Sequence, residues 1–367
     1  MYLSRLTLAS FKSYRETELT FCPKINCFVG DNGSGKTNLL DAIHYLSFSK
    51  SYFNNTDAQN IRHGDDFFAI HGSYRHADDS FQVHCTYRRG NRKTLKLDQK
   101  EYDRLSEHIG RIPLIMIAPQ DQELVYGTTE YRRRFLDSVI AQFSHAYLDH
   151  LIAYNHALEQ RNHLLKQHLI DAALLDILDT QLSERGTAIL RERLAFIEAL
   201  QPYFQQYFNN IAEEAEKPGM QYRSTVGEPE NYKAALTAAA EKDRLLQYTT
   251  VGIHRDDLHL TLDGYALKKV GSQGQQKSFL LSLRLAQWEY MTKQKGLNPI
   301  LLLDDVFDKL DKNRVYKLLK VVGEDSFGQV FISDTDPTRV ARIFELHPIE
   351  HRLFTLPFPN TPEADSL

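Results

Sequence analysis

The chain has 367 residues, 42% of them hydrophobic and 25% charged, enough for two domains or one domain with a large insertion, and this excludes a disordered or fibrous protein. The formal net charge is −4, so a nucleic-acid surface would have to be a local basic patch. Three cysteines (Cys22, Cys27, Cys85) form no C-x-x-C pair and leave one over, which suits a reducing cytosol, and no apolar run approaches the ~18 residues of a membrane span.

From Tyr2 to about Ile117 the pattern is mostly strands. "YLSRLTLAS" alternates apolar and polar residues and lacks a signal peptide's apolar core, so secretion is not expected. "ETELTF", "INCFV", "FFAIHGSY", "FQVHCTY" and "KTLKL" follow as strands. After "INCFV" come Gly30, Asp31, Asn32, Gly33, Ser34, Gly35, Lys36 and Thr37, which satisfy G-x-x-x-x-G-K-[ST] without a mismatch. Glycines let consecutive backbone N–H groups curl round an anion, and the helix that starts at Lys36 adds its positive end. Lys36 would reach the β- and γ-phosphates of a nucleotide, and the Thr37 hydroxyl would bind Mg2+. Further on, "YRRGNRKT" reads as a hairpin turn. Its Arg88, Arg89, Arg92 and Lys93, with Lys96 beside them, could touch DNA phosphates without reading sequence. "IPLIMIAP" is a buried strand closed by Pro119.

From about Thr129 to Lys217 the composition is helical. Arg132, Arg133 and Arg134 open this stretch; consecutive residues face different sides of a helix, so not all three could serve DNA. The five histidines between His145 and His168 lack an i, i+4 pair, so no metal site is expected there. Leu190, Leu194, Ile197, Phe204, Phe208 and Ile211 resemble a short coiled-coil seam, which Pro202 should kink or divide. "EKPGM" reads as a breaker, and "NYKAALTAAAEKDRLLQ" as one more helix. Strands are expected again at "TTVGI" and "LHLTLDGYALKK", then a helix after "GSQGQQK", a buried strand at "PILLLDDV", a helix at "KNRVYKLLKVV" and a strand at "GQVFISDT". The tail "PFPNTPEADSL" reads as disordered.

Two later segments complete the nucleotide chemistry. Asp304 and Asp305 close an apolar strand, where the first would hold Mg2+ and the second would orient or deprotonate water. Ser272, Gln273, Gly274, Gln275 and Gln276 precede an amphipathic helix, a second helix start suited to an anion. One phosphate cradle already exists at Gly30–Thr37, so this second one implies a composite site between two molecules.

The loop, the serine-glycine-glutamine segment and the Asp-Asp strand together resemble an ABC-type ATPase head of the SMC-like group. "LTLASFKSY", "FSKSY", "IRHG", "YRRRFLD", "GIHRDDL", "GSQGQQKS", "LLLDDVFDKLD" and "GQVFISDT" are similar to the RecF family of bacterial recombination mediators over nearly the whole chain. The resemblance implies an α/β fold, an ABC-type P-loop head with mixed β-sheets and helices. Residues 1–128 and 245–367 would form the head, interrupted at 129–244 by a helical, short coiled-coil-like arm. It makes Gly30–Thr37 the Walker A loop and Asp304 and Asp305 Walker B, with aspartate where ABC heads usually have glutamate. Ser272, Gln273, Gly274 and Gln275 become the signature acting in trans, and Leu310 and Asp311 the D-loop. Gln120 becomes the metal-touching Q-loop residue, with Gln122 its rival, and Lys12 and Ser13 are brought near the nucleotide. It further implies ATP and Mg2+ as cofactors, a weak ATPase acting as a switch with Asp305, Gln120 and Lys36 catalytic, and an ATP-dependent homodimer. Double- and single-stranded DNA at gap junctions, RecR- and RecO-type partners, no membrane partner, DNA repair with the SOS response, and a cytoplasmic location follow from the same resemblance. A transporter ATPase subunit or another SMC-like DNA-binding ATPase is the alternative. Two departures stand out. Ile253 replaces the family's usual proline, and Asp334 or Thr335 occupies the place of the ABC switch histidine, a poor γ-phosphate sensor that favours slow hydrolysis.

Overall fold

The computed structural model describes residues 1–212, 216–306, 312–323, 327–346 and 349–357. Leu310, Asp311 and the tail from residue 358 lie outside them.

On β1 (Tyr2–Phe11) a bulge between Leu3 and Arg5 keeps Leu3 on the buried face with Leu6 and Leu8, while Arg5 and Thr7 face out. β1 pairs with β2 (Tyr14–Thr20) and with β4 (Phe67–His76), and β5 (Asp79–Arg88), β6 (Thr94–Leu97) and β7 (Lys100–Glu101) extend an antiparallel sheet in the order β2-β1-β4-β5-β6-β7. β3 (Ile25–Gly30) and β8 (Leu114–Ile117) behave differently: their residues are almost all buried, the pattern of strands covered on both faces. Between these two come the glycine loop and α1 (Lys36–Phe48), which is buried on nearly every side because the core of both sheets closes over it.

The middle of the chain holds α2 (Glu123–Tyr126), α3 (Thr129–Phe143), α4 (His145–Leu164), α5 (Ala172–Ala212), β9 (Pro218–Arg223), α6 (Tyr232–Leu246), β10 (Asp257–Leu262), β11 (Tyr265–Ala266), α7 (Leu267–Val270) and α8 (Gln273–Lys295). β12 (Ile300–Leu303), α9 (Lys312–Val322), β13 (Val330–Asp334), α10 (Pro337–Leu346) and β14 (His351–Leu356) follow. β14, β3, β13, β12 and β8, in that order, make one wholly parallel sheet. Such a sheet presents its ligand sites at the carboxyl ends of its strands. Here those ends carry Gly30, Asp334 and, one residue past β12, Asp304.

Contacts divide the chain into one unit of residues 1–120 with 291 onward and a second of 121–290. Residues 121–128 and 245–290, expected with the head, thus group with the helical unit, because β10 pairs with β9 and Arg132 on α3 ion-pairs with Asp257 at 2.7 Å.

The second unit departs from the sequence expectations in four places. α5 runs through Pro202 undivided, since Phe204, Tyr207, Phe208 and Ile211 beyond it are all buried. Its apolar seam is used within the unit, with Phe204 edge-on to Phe279 of α8 at 4.7 Å, and Leu194 is left exposed. "EKPGM" does follow the end of the helical run, α5 stopping at Ala212, but its "PGM" also starts an unexpected strand, β9, an edge strand where proline is tolerated at the first position. "TTVGI" is not a strand: Thr249 and Thr250 spend their hydroxyls on Asn162 and Asp243, and Gly252 turns the chain at φ +125°. Two buried arginines lock this unit. Arg161 binds Asp179 and Asp243 at 2.6 and 2.7 Å, and Arg193 binds Asp137 at 2.7 Å and the Ile253 carbonyl at 3.0 Å.

Candidate functional site

The loop between β3 and α1 has the backbone its sequence calls for. Gly33 and Gly35 sit at φ +82° and +99°, which L side chains rarely adopt. Gly35 is doubly constrained, because a Cβ there would lie 2.7 Å from the Tyr14 hydroxyl, which itself donates to the Gly35 carbonyl at 3.2 Å. No side chain caps the start of α1, so its first N–H groups face the loop uncovered by a capping group. Lys36 is buried, and its ammonium donates to the carbonyls of Gly30 and Asp31 at 2.8 and 2.9 Å. Those bonds fold the lysine back across the mouth of the loop that carries Asp31, Asn32 and Ser34.

The decisive contact joins residues 267 positions apart. The Thr37 hydroxyl lies 3.0 and 3.2 Å from the two carboxylate oxygens of Asp304. Asp304 is 3% exposed, and burial pushes its carboxyl above the usual range, while hydrogen bonds from Ser333 and Thr37 and the charge of Lys36 act the other way. Ser333, not singled out from the sequence, orders both acids: its hydroxyl donates to Asp304 at 2.8 Å and accepts the Asp305 N–H at 2.9 Å. Asp305 takes a left-handed φ of +46°, a strained position for a non-glycine residue and the kind of outlier found where a side chain must be aimed. A hydroxyl facing a carboxylate across about 3 Å is the donor set that suits Mg2+: hard oxygen ligands beside a phosphate-binding loop.

The other expected site residues divide. Ser13 lies at the loop, its hydroxyl accepting from Asn38 at 2.8 Å. Lys12 ion-pairs with buried Asp41 of α1 at 2.5 Å, so its charge braces the helix. Gln120 and Gln122 are both exposed in the turn after β8, and the buried residue there is Asp121, ion-paired with Arg284. Gln120 stays in the unit that holds the loop, and the Asp304 N–H bonds the Ile117 carbonyl at the end of β8.

Ser272 and Gln275 form a closed capping box at the start of α8. The Gln275 N–H bonds the serine hydroxyl at 3.2 Å, and the Ser272 N–H bonds the glutamine side chain at 2.6 Å. Ser272 and Gln273 are exposed, with Gly274 behind them. This helix start therefore satisfies itself in a single chain, unlike that of α1.

In the β5–β6 turn, Arg88, Arg89 and Arg92 are exposed. Lys93, expected with them, turns inward. Its ammonium lies 2.9 Å from Asp57 and bonds the Ser49 carbonyl at the end of α1, where a cation complements the helix dipole. Arg132, Arg133 and Arg134 all have partners inside their own unit, in Asp257, the Asp256 carbonyl and Glu130. Among the described residues no group of three or more histidines, cysteines or acids is arranged to hold a metal, and no helix is long and apolar enough to cross a membrane.

A family model described as the RecF/RecN/SMC N terminal domain matches residues 2–350. The DNA replication and repair protein RecF of Parabacteroides distasonis is 46% identical over 336 residues, covering 92% of each chain. Two solved structures are similar throughout at 28% identity. One, of the recombination mediator protein RecF-ATPrS in the RecFOR pathway, has a TM-score of 0.87 and covers 97% of this chain and 96% of that one. The other, of RecF-ATP in the same pathway, has a TM-score of 0.86 and covers 92% of each.

Proposed function

This chain belongs to the RecF branch of the RecF/RecN/SMC N-terminal domain family, and from that premise we propose that it is an ATP-switched, DNA-binding recombination mediator of DNA repair and replication. It acts in the cytoplasm at gapped or stalled-replication DNA, dimerises with ATP, and works with RecR- and RecO-type partners to load recombinase. The observation that carries the nucleotide half of this reading is the bond between Thr37 and Asp304, which brings the two motif halves together at one strand end.

The chain's own residues divide the work. The loop N–H groups and Lys36 bind the phosphates; Lys36 exchanges its carbonyl partners for phosphate oxygens. Thr37, Asp304 and Gln120 are the residues that would hold Mg2+, which would supply charge neutralisation to the phosphates. Ser333 holds Asp304 and Asp305 in register, and Asp305 positions and deprotonates water. Replacing Asp305 by Asn is expected to preserve ATP affinity and slow hydrolysis at least ~100-fold, the usual contribution of a positioned base. Steady-state turnover at saturating ATP checks this, and a wild-type rate would move the catalytic carboxylate elsewhere. The resting turnover is slow, because Asp334 and Thr335 stand at the end of β13 where a switch histidine would be.

DNA binding is the least local part of the reading. It is supported by family membership and by the three arginines left exposed on the β5–β6 turn. Changing Arg88, Arg89 and Arg92 together to Ala is expected to weaken all duplexes alike. It should lower the slope of log K against log salt by ~2–3, since each lost phosphate contact removes ~0.9. Anisotropy titrations at several salt concentrations measure this. Lys93→Ala should instead lower the melting temperature, as Asp57 and the end of α1 lose their counter-charge.

A further inference from the structure

Three carboxylates meet at neighbouring ends of the parallel sheet. Asp304 and Asp305 follow β12, and Asp334 ends β13, the strand that separates β12 from the loop-bearing β3. Asp334 is 3% exposed, and its pKa is raised by burial first and by the nearby charges of Asp336 and Asp305. One of its oxygens accepts the Asp336 N–H at 2.7 Å and the Arg339 guanidinium at 3.0 Å, while the other is buried without a partner. Arg339 is on the first turn of α10, its N–H held by the Asp336 side chain, and its own side chain is 29% exposed.

A terminal phosphate in front of these strand ends would meet like charge on two sides, and Asp334 would repel it. The guanidinium that Asp334 holds has the opposite sign and a planar fork of donors matched to phosphate oxygens. Asp334 engages it through one oxygen and leaves the second idle, so the carboxylate is a poorer partner for the fork than a phosphate would be.

We propose that Arg339 is a γ-phosphate-binding residue that Asp334 holds at the end of β13 and yields to a nucleoside triphosphate but not to a diphosphate. The proposal rests on the nucleotide reading above and adds to it the residue that tells ATP from ADP, a task for which neither position 334 nor 335 offers a histidine. Asp334 is then a positioning residue. It keeps the guanidinium at the end of β13, and its idle oxygen makes the exchange cheap.

The test is the ratio of ADP to ATP dissociation constants, measured by calorimetry on the full chain with Mg2+. Melting curves without nucleotide establish that each variant is folded. Arg339→Gln should reduce the preference for ATP by ~tenfold or more, the loss expected for a charge-assisted hydrogen bond, and leave ADP affinity unchanged. Arg339→Lys, which keeps the charge and loses the fork, should fall between. Asp334→Asn, which keeps the bond to the Asp336 N–H and releases the arginine, should raise the preference for ATP. An unchanged ratio in folded Arg339→Gln would make the pair a brace between β13 and α10 and overturn the proposal, and so would a lowered ATP preference in Asp334→Asn. If the wild-type chain binds neither nucleotide, the nucleotide reading fails first and takes this proposal with it.

Discussion

Ser272→Arg chains are expected to bind ATP as monomers with near-normal affinity, and to lose ATP-dependent dimers, ATPase activity and ATP-dependent DNA binding together. The serine is not part of its own chain's phosphate loop, which is built by Gly30–Thr37 around α1. It stands exposed at the start of α8, where its hydroxyl accepts the Gln275 backbone N–H and its own N–H donates to the Gln275 side-chain oxygen. In the proposed two-fold dimer that capping box would open so that Ser272 and Gly274 meet the γ-phosphate held by Lys36 of the other copy, and symmetry makes two such sites. An arginine at 272 fills that space. Loss of the cap alone costs roughly 1 kcal/mol of helix stability, so Ser272→Ala is the control for capping without bulk. Mixing Ser272→Arg with Lys36→Ala chains should restore one good composite site and some dimer. The idea fails if Ser272→Arg still dimerises with ATP.

Lys36→Ala should weaken ATP binding by at least ~tenfold, about 1.4 kcal/mol, with the fold intact. Among the described residues the ammonium bonds the Gly30 and Asp31 carbonyls and no carboxylate, so its removal leaves no buried charge unpaired. The loss should therefore fall on the ligand: a cradle of neutral N–H groups would face the phosphates without its cation. Calorimetry with the folded variant decides it, and unchanged affinity would remove the phosphate-loop assignment.

The parts of this site that are legible in the sequence are those encoded locally. The loop is spelled out by glycines whose left-handed φ values the structure reproduces, and Asp304 is found because an apolar run ends at it. Ser333 and Tyr14 were not legible. Each acts through a strand or turn brought alongside by sheet pairing, and nothing in the neighbouring residues marks a serine after "VFI" as the link between two acids. Side-chain direction was the commonest loss. Lys93 read as a DNA-facing cation of the β5–β6 turn and Lys12 as a neighbour of the nucleotide, yet Lys93 pairs with Asp57 beside the end of α1 and Lys12 with Asp41 on α1, because these acids need counter-charges. "TTVGI" has strand propensity, but its threonines are drawn into the Arg161–Asp243 cluster, and tertiary hydrogen bonds outrank propensity there. The resemblance puts β10 with the head, whereas its pairing with β9 and the Arg132–Asp257 ion pair group it with the helices, and long-range pairings of this kind are not encoded in the local pattern.

The central claim is that ATP joins two copies of this chain. Light scattering of the wild-type protein with and without saturating ATP and Mg2+ tests it most directly. The account predicts the 42.4 kDa of one chain without nucleotide and twice that mass with ATP, returning to one chain when ATP is replaced by ADP. A mass that stays at one chain in saturating ATP, in a protein shown to bind it, would contradict the account.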